Sequence, residues 1–210
     1  MIGVGVISLV VSYIYQDSDR FWANLLINGL FFTFISLGAM FFISLQYATE
    51  AAWSVMVRRI YEAVTRFLPF GIGVLTLVFL ASTFHMNHLY HWMDESATHE
   101  YVIASTLDSA HPEYLNELVD GAIENVKYDY IIAGKTAYLN VPFFWIRTLV
   151  YFAVFLFFMN FFRKQSLRED QEGGTAINTK SYKRGAVFLI FFAVFSSTLA
   201  WDWIMSIDTH

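Results

Sequence analysis

FWANLLINGLFFTFISLGAMFFISLQYAT, residues 21–49, decides the class of this protein. Between Phe21 and Thr49 there is no Asp, Glu, Lys, Arg or His. A hydrocarbon core of roughly 30 Å is crossed by about 20 helical residues, and this stretch is longer. A run this long and free of charge is too long for a buried helix of a soluble domain, so it reads as a membrane span. The rest of the chain agrees: 57% of the 210 residues are hydrophobic, 19% aromatic and only 15% charged. Soluble domains carry about a quarter of charged residues, so the deficit has structural meaning.

Working outward, five apolar spans emerge, at about Ile2 to Tyr15, Leu25 to Tyr47, Phe67 to Trp92, Val141 to Phe162 and Gly185 to Ile207. Peptide groups facing hydrocarbon must bond within their own segment, and barrel strands are about 10 residues long with strict alternation. The spans have neither feature of a barrel and are therefore read as helices, giving an all-α integral membrane protein, one polytopic domain over residues 1–210. The first span reaches only about 21 Å at 1.5 Å per residue, which suggests that its true start lies upstream. Pro69 and Pro142 sit at span starts, where a missing amide donor costs little. Trp22, Trp53, Trp92, Trp145, Trp201 and Trp203 all fall near predicted span ends, where an indole can sit half in the headgroups.

Loop charge gives an orientation. The loop at about 48–66 carries Arg58, Arg59 and Arg66, and that at about 163–184 carries Arg163, Lys164, Arg168, Lys180, Lys183 and Arg184. The loop at about 94–140 has Lys127 and Lys135 against nine acids, among them Asp94, Glu113 and Asp129. Basic loops stay in the cytoplasm, so the chain is expected to begin inside and to end, at residue 210, on the outer side of the membrane. The outer loop is too long for plain connection. After Pro112, the residues Leu115, Leu118, Val119, Ala122, Ile123 and Val126 recur at helical spacing, so a short amphipathic helix is expected there. Its acidic face is either simply solvated or a dock for a basic electron carrier or partner subunit. The inner loop at Lys164 to Arg184, with Gly173-Gly174, reads as flexible.

A net charge of −5 argues against nucleic acid as a partner, and the absence of cysteine excludes disulfides, thiolate chemistry and iron–sulfur ligation by this chain. The remaining chemistry lies in ionisable residues within spans, which are costly in hydrocarbon. His85, His88 and His91 are three apart, and on a helix they form a file within an arc of about 120°. Such a file could be structural, relay protons or face a quinone. A metal is disfavoured because the spacing lacks an i, i+4 pair and no acid evidently joins it; bis-histidine haem would need facing helices. Arg147 either snorkels outward or meets a buried partner, and Asp202, expected at similar depth, is the candidate. Asp202 is in turn either paired or a carrier of protons. Asp208 reads as interfacial.

Five motifs in order resemble a known family: Ala51-Ala52-Trp53-Ser54-Val55 with Arg58-Arg59 and Glu62-Ala63; His88-Leu89-Tyr90-His91-Trp92; Tyr138-Leu139-Asn140 with Pro142-Phe143-Phe144 and Arg147; Ser166-Leu167-Arg168 with Asp170; and Asp202-Trp203 with Met205-Ser206. Together they resemble the second of the two polysulfide-reductase-like membrane subunits of bacterial alternative complex III. The resemblance covers roughly residues 22–210. It implies a membrane subunit of a respiratory quinol:electron-acceptor oxidoreductase, serving quinol access or proton conduction. It also implies a ten-helix, two-bundle fold, of which five spans are half. The chain itself would hold no haem or cluster, although quinone or quinol could bind. The redox centres would sit in partners: multihaem and monohaem cytochromes c and an iron–sulfur subunit, beside a homologous membrane subunit. His85 departs from the family pattern, being set apart by Met86-Asn87. The candidate site residues are His85, His88, His91, Arg147 and Asp202, in quinone-facing or proton-path roles. The competing readings are a b-type cytochrome anchor and a structural or transport subunit.

Overall fold

A computed structural model describes residues 5, 8, 11–14, 18–94, 97, 101–103, 118–119, 122–124, 128–172 and 175–208. Four helices are long and apolar enough to cross a membrane: Ser18–Ala48, Val55–Thr83, Val141–Gln171 and Thr179–Met205. The protein is thus a helical membrane protein with four spans among the described residues. The expected first span at 2–15 lies for the most part outside them; residues 11–14 are helical.

The elements, in chain order, are α1 (Ser18–Ala48), a 3-10 turn (Ala52–Ser54), α2 (Val55–Thr65), α3 (Leu68–Thr83), a 3-10 turn (His91–Met93), α4 (Tyr130–Gly134), α5 (Val141–Glu172), α6 (Thr175–Ala200) and a π-helical turn (Trp201–Met205). Three short strands, β1 (Tyr101–Ile103), β2 (Leu118–Val119) and β3 (Ala122–Glu124), form an antiparallel sheet in the order β1-β3-β2. At these residues this corrects the expected outer amphipathic helix, whose Leu115 and Val126 lie outside the described residues. Leu118, Val119, Ala122 and Ile123 belong to strands, with Val119 paired to Ala122 and Leu118 to Ile123. Asp120-Gly121 between them is a turn signal that the helical spacing of apolar residues concealed.

α1 is the central element, packing on α2, α3 and α6, while α5 packs on α6 and α3. Half of the apolar stretch of α1 is buried in the protein, against 22% of that of the last span. The outward residues are themselves apolar, Ile27, Phe31, Phe70, Ile146, Phe157 and Ile190 among them. That is the surface a bilayer requires and water does not. Helices approach closely where side chains are small. A Cβ added at Gly185 of α6 would stand 2.9 Å from the Ser44 carbonyl oxygen of α1, and one at Gly71 of α3 would meet the Thr33 hydroxyl. Buried hydroxyls in the spans bond their own helix: Ser44 donates to Met40 O at 2.9 Å and Ser36 to Phe32 O at 3.0 Å.

Three boundaries differ from the sequence reading. The inner loops expected at 48–66 and 163–184 are largely helix: α2 fills most of the first, and α5 and α6 run through the second as far as Glu172 and from Thr175. Arg, Lys, Gln, Leu and Glu are good helix formers, so the helices continue beyond the depth at which charge begins. The third span ends at Thr83 and does not reach Trp92. Finally, the tryptophans differ in their burial within the protein. Trp22, Trp92 and Trp203 are buried in the core, while Trp53 and Trp201 are exposed.

Candidate functional site

α3, α5 and the end of α6 meet at one end of the bundle, around a carboxylate. Asp202 lies in the π-helical turn that continues α6, closed by Ser206 N donating to Trp201 O at 3.0 Å, and it is wholly inaccessible. A π turn widens the helix by one residue and so re-aims a side chain. Here the carboxylate meets Arg147 of α5 in a two-point ion pair: Nε donates to Oδ2 and Nη2 to Oδ1, both at 2.8 Å. Tyr151 donates its hydroxyl to Oδ2 at 3.0 Å. Arg147 Nη1 donates to Tyr138 O at 3.1 Å, and the guanidinium lies 4.0 Å from the Tyr138 ring centre and 4.3 Å from that of Phe143. The expected pairing of Arg147 with Asp202 is therefore present. The outward-snorkelling alternative is not adopted.

The neighbouring residue fixes this pair to the core. Trp203 donates from Nε1 to Thr148 Oγ1 at 3.2 Å, and its carbonyl accepts the Tyr90 hydroxyl at 2.8 Å. Its ring packs on those of Phe79 and Phe152. Burial, then the charge of Asp202, pushes the Tyr90 hydroxyl above the ordinary phenol range; the same two causes raise Tyr138. Tyr90 therefore acts here as a hydrogen-bonding phenol.

The histidines do not form a helical file. α3 stops at Thr83 in a Schellman motif, with His85 N donating to Ser82 O at 3.1 Å and Met86 N to Ala81 O at 2.9 Å. His85 takes the left-handed position at φ 55°, where glycine is usual. The chain then folds back, seating Tyr90, Trp92 and Met93 in the core. Asp94 at its far end joins two of the histidines: His85 Nδ1 is 3.0 Å from Oδ1, and His88 Nδ1 is 3.0 Å from Oδ2. The expectation that no acid joins the histidines is thus corrected. His91 opens the 3-10 turn, is exposed, and stands outside this triad. Among the described residues no group of three His, Cys, Asp or Glu is placed to hold a metal ion.

Neither a protein-family model nor a curated protein matches the sequence. The chemistry has to be read from the arrangement itself. An ionised Asp94 accepts one Nδ1–H from each imidazole, which leaves each Nε2 with a lone pair on a half-exposed ring, able to take a proton. Tyr90 links this pair to the core: it lies two residues beyond His88, and its hydroxyl rests on the carbonyl next to Asp202. The structure thus brings Arg147 and Asp202 together, brings His85 and His88 together on Asp94, and leaves His91 apart. Sequence reasoning missed Tyr151, Tyr138, Tyr90 and Asp94. Tyr151 had a signal, since it lies four residues after Arg147 on the same helix and so shares its face.

Proposed function

We propose that this chain is a membrane subunit of a respiratory quinol-oxidising complex of the alternative complex III type, and that the Asp202 end serves quinol access or proton release. The observation that carries the reading is a wholly buried carboxylate, paired with Arg147 and bonded by Tyr151, at the end of a span. Ionisable groups held within membrane helices are costly and mark sites of function. Oxidation of a quinol to a quinone releases two electrons and two protons. The electrons pass to haem and iron–sulfur centres on partner subunits. The protons need acceptors, and His85 and His88 on Asp94 offer two imidazole nitrogens at the exposed rim of the same end. A b-type cytochrome anchor is less well supported, because these two histidines lie past the end of α3 and turn to Asp94, not across the bundle. A saturated ion pair is also what a structural clamp would show, so the test separates the two. The complex is isolated in mild detergent and its multihaem cytochromes sought by spectrum and mass. Asp202→Asn and His88→Gln are then assayed for quinol oxidation and proton release. The expected result is a fall of at least about tenfold with haem content unchanged. Unchanged rates in both variants would leave a scaffold, and a chain that purifies without cytochromes would remove the respiratory reading.

A further inference from the structure

At the opposite end of the bundle, where α1, α2, α5 and α6 converge, buried polar groups are left poorly matched. Arg58 of α2 is buried and places Nη2 2.9 Å from Glu169 Oε2 of α5, while its Nε stands 3.6 Å from Glu62 Oε1. The first contact is off the line of the N–H bond and the second is too long, so neither carboxylate oxygen accepts a hydrogen bond among the described residues. Tyr47 lies beneath, with the Arg58 guanidinium 5.2 Å from its ring centre and Phe162 stacked on it at 5.8 Å. Its hydroxyl faces that of Ser181 of α6, and the charges of Arg58, Glu169 and Glu62 reach it. Ser166 sits on α5 between Phe162 and Glu169, four residues after the one and three before the other, and so on the same face. The Tyr47 and Ser181 hydroxyls face each other without closing a good hydrogen bond, and the buried Ser166 hydroxyl has no hydrogen-bond partner among the described residues.

An unmatched buried hydroxyl costs on the order of 1–3 kcal/mol, so the open Tyr47–Ser181 approach, the Ser166 hydroxyl and two carboxylate oxygens without a hydrogen bond, where these helices converge, call for an occupant. We infer that this cluster of polar groups is a built hydration site, holding a small number of ordered waters between the helix ends. A buried water makes about three hydrogen bonds, so the unmatched groups are satisfied by about two or three molecules. Water fits because the groups include donors and acceptors: hydroxyls that do both, the Arg58 N–H, and carboxylate oxygens. A bare cation fits worse, because the guanidinium already lies 2.9 Å from the carboxylate oxygen that it would use. The gap of 3.6 Å between Arg58 Nε and Glu62 Oε1 is one that a bridging water relieves. The inference is independent of the respiratory reading.

Hydroxyl radicals generated from water by X-ray pulses report buried water, because they modify a ring beside it even where bulk solvent does not reach. In the detergent-solubilised protein Tyr47, 4% exposed, is compared with Tyr90, 1% exposed and sealed onto the Trp203 carbonyl. Tyr47 is expected to be modified at least about tenfold faster than Tyr90, and Ser181→Val, which removes a hydroxyl and adds bulk beside Tyr47, to slow it about threefold or more. Ser166→Ala removes a hydroxyl without adding bulk, is expected to slow Tyr47 less, and keeps the test decisive if Ser181→Val does not fold. Equal slow labelling of Tyr47 and Tyr90 would show the site to be dry and overturn the inference. So would labelling indifferent to the serine substitutions, or saturable protection of Tyr47 by sodium chloride but not by choline chloride.

Discussion

The two ends of the bundle bury charge by opposite means. At the Asp202 end a single carboxylate, 0% exposed, meets a single guanidinium, 11% exposed, in a two-point pair. All three guanidinium nitrogens and the Tyr151 hydroxyl donate, and aromatic rings cover the cation. At the Arg58 end three carboxylates share two guanidiniums: Arg58 serves Glu62 and Glu169, while Arg59 serves Glu62 and Asp170. Their exposure there rises from 9% at Arg58 to 52% at Asp170. The difference shows what access to water permits. A pair shut away must be matched in both charge and geometry, because desolvation otherwise exceeds the attraction. A network open on one side tolerates misaligned contacts and a surplus carboxylate, since water solvates the remainder.

The largest effect follows from breaking the closed pair. Arg147→Ala leaves Asp202 charged and buried, with an expected loss of about 3–5 kcal/mol, read from the unfolding midpoint in detergent. Replacing both partners, Arg147→Met with Asp202→Leu, is expected to recover most of that loss. Arg58→Ala is expected to cost at most about half as much, because Glu62 keeps Arg59 and Glu169 is 26% exposed. Equal losses for Arg147→Ala and Arg58→Ala would erase the contrast between the ends.

The same contrast governs what could be read from the sequence. Arg147 and Asp202 were legible as a pair because each is an ionisable residue inside an apolar run, at matching distances from the ends of antiparallel spans. The four spans were legible for the same reason, since runs such as Phe21 to Thr49 have no soluble alternative. The turn at Thr83 was not legible. No Gly or Pro marks it, and the apolar and aromatic pattern continues to Trp92 because the returning chain also packs into the core. At the other end the arginines were read for their sign alone. Nothing in their spacing showed that Glu169 and Asp170, more than a hundred residues away, close onto α2. Tyr47, Ser166 and Ser181 carry no mark either, since serine and tyrosine in apolar helices commonly bond their own backbone or face lipid headgroups.

A smaller effect tests whether the helices at the Arg58 end are as tightly placed as those around Asp202. Gly185→Ala sets a methyl group 2.9 Å from the Ser44 carbonyl and 3.2 Å from Tyr47 Cβ. A backbone oxygen cannot turn aside, so α1 and α6 must separate, at an expected cost of about 1–3 kcal/mol. Gly71→Ala meets the Thr33 hydroxyl, a side chain with another rotamer to adopt, and is expected to cost less. If Gly185→Ala is neutral by the same midpoint, this end is loosely packed as well as loosely paired.

The smallest effect compares the two helix terminators. α1 ends as α3 does: Glu50 N donates to Tyr47 O at 3.3 Å and Ala51 N to Gln46 O at 3.1 Å, with Glu50 at φ 51°. Each end therefore has a side-chain-bearing residue in a position that favours glycine, and Glu50→Gly is expected to stabilise by up to about 1 kcal/mol. His85→Gly gains the same backbone relief but gives up the contact of Nδ1 with Asp94, 3.0 Å away. A half-exposed contact of this kind is worth about 0.5–1 kcal/mol, so the two terms nearly cancel and no net change is expected. The difference between the two glycine variants thus measures what the histidine contributes. If His85→Gly stabilises as much as Glu50→Gly, the imidazole adds nothing to the fold. If it destabilises outright, the bond to Asp94 outweighs the strain of its backbone.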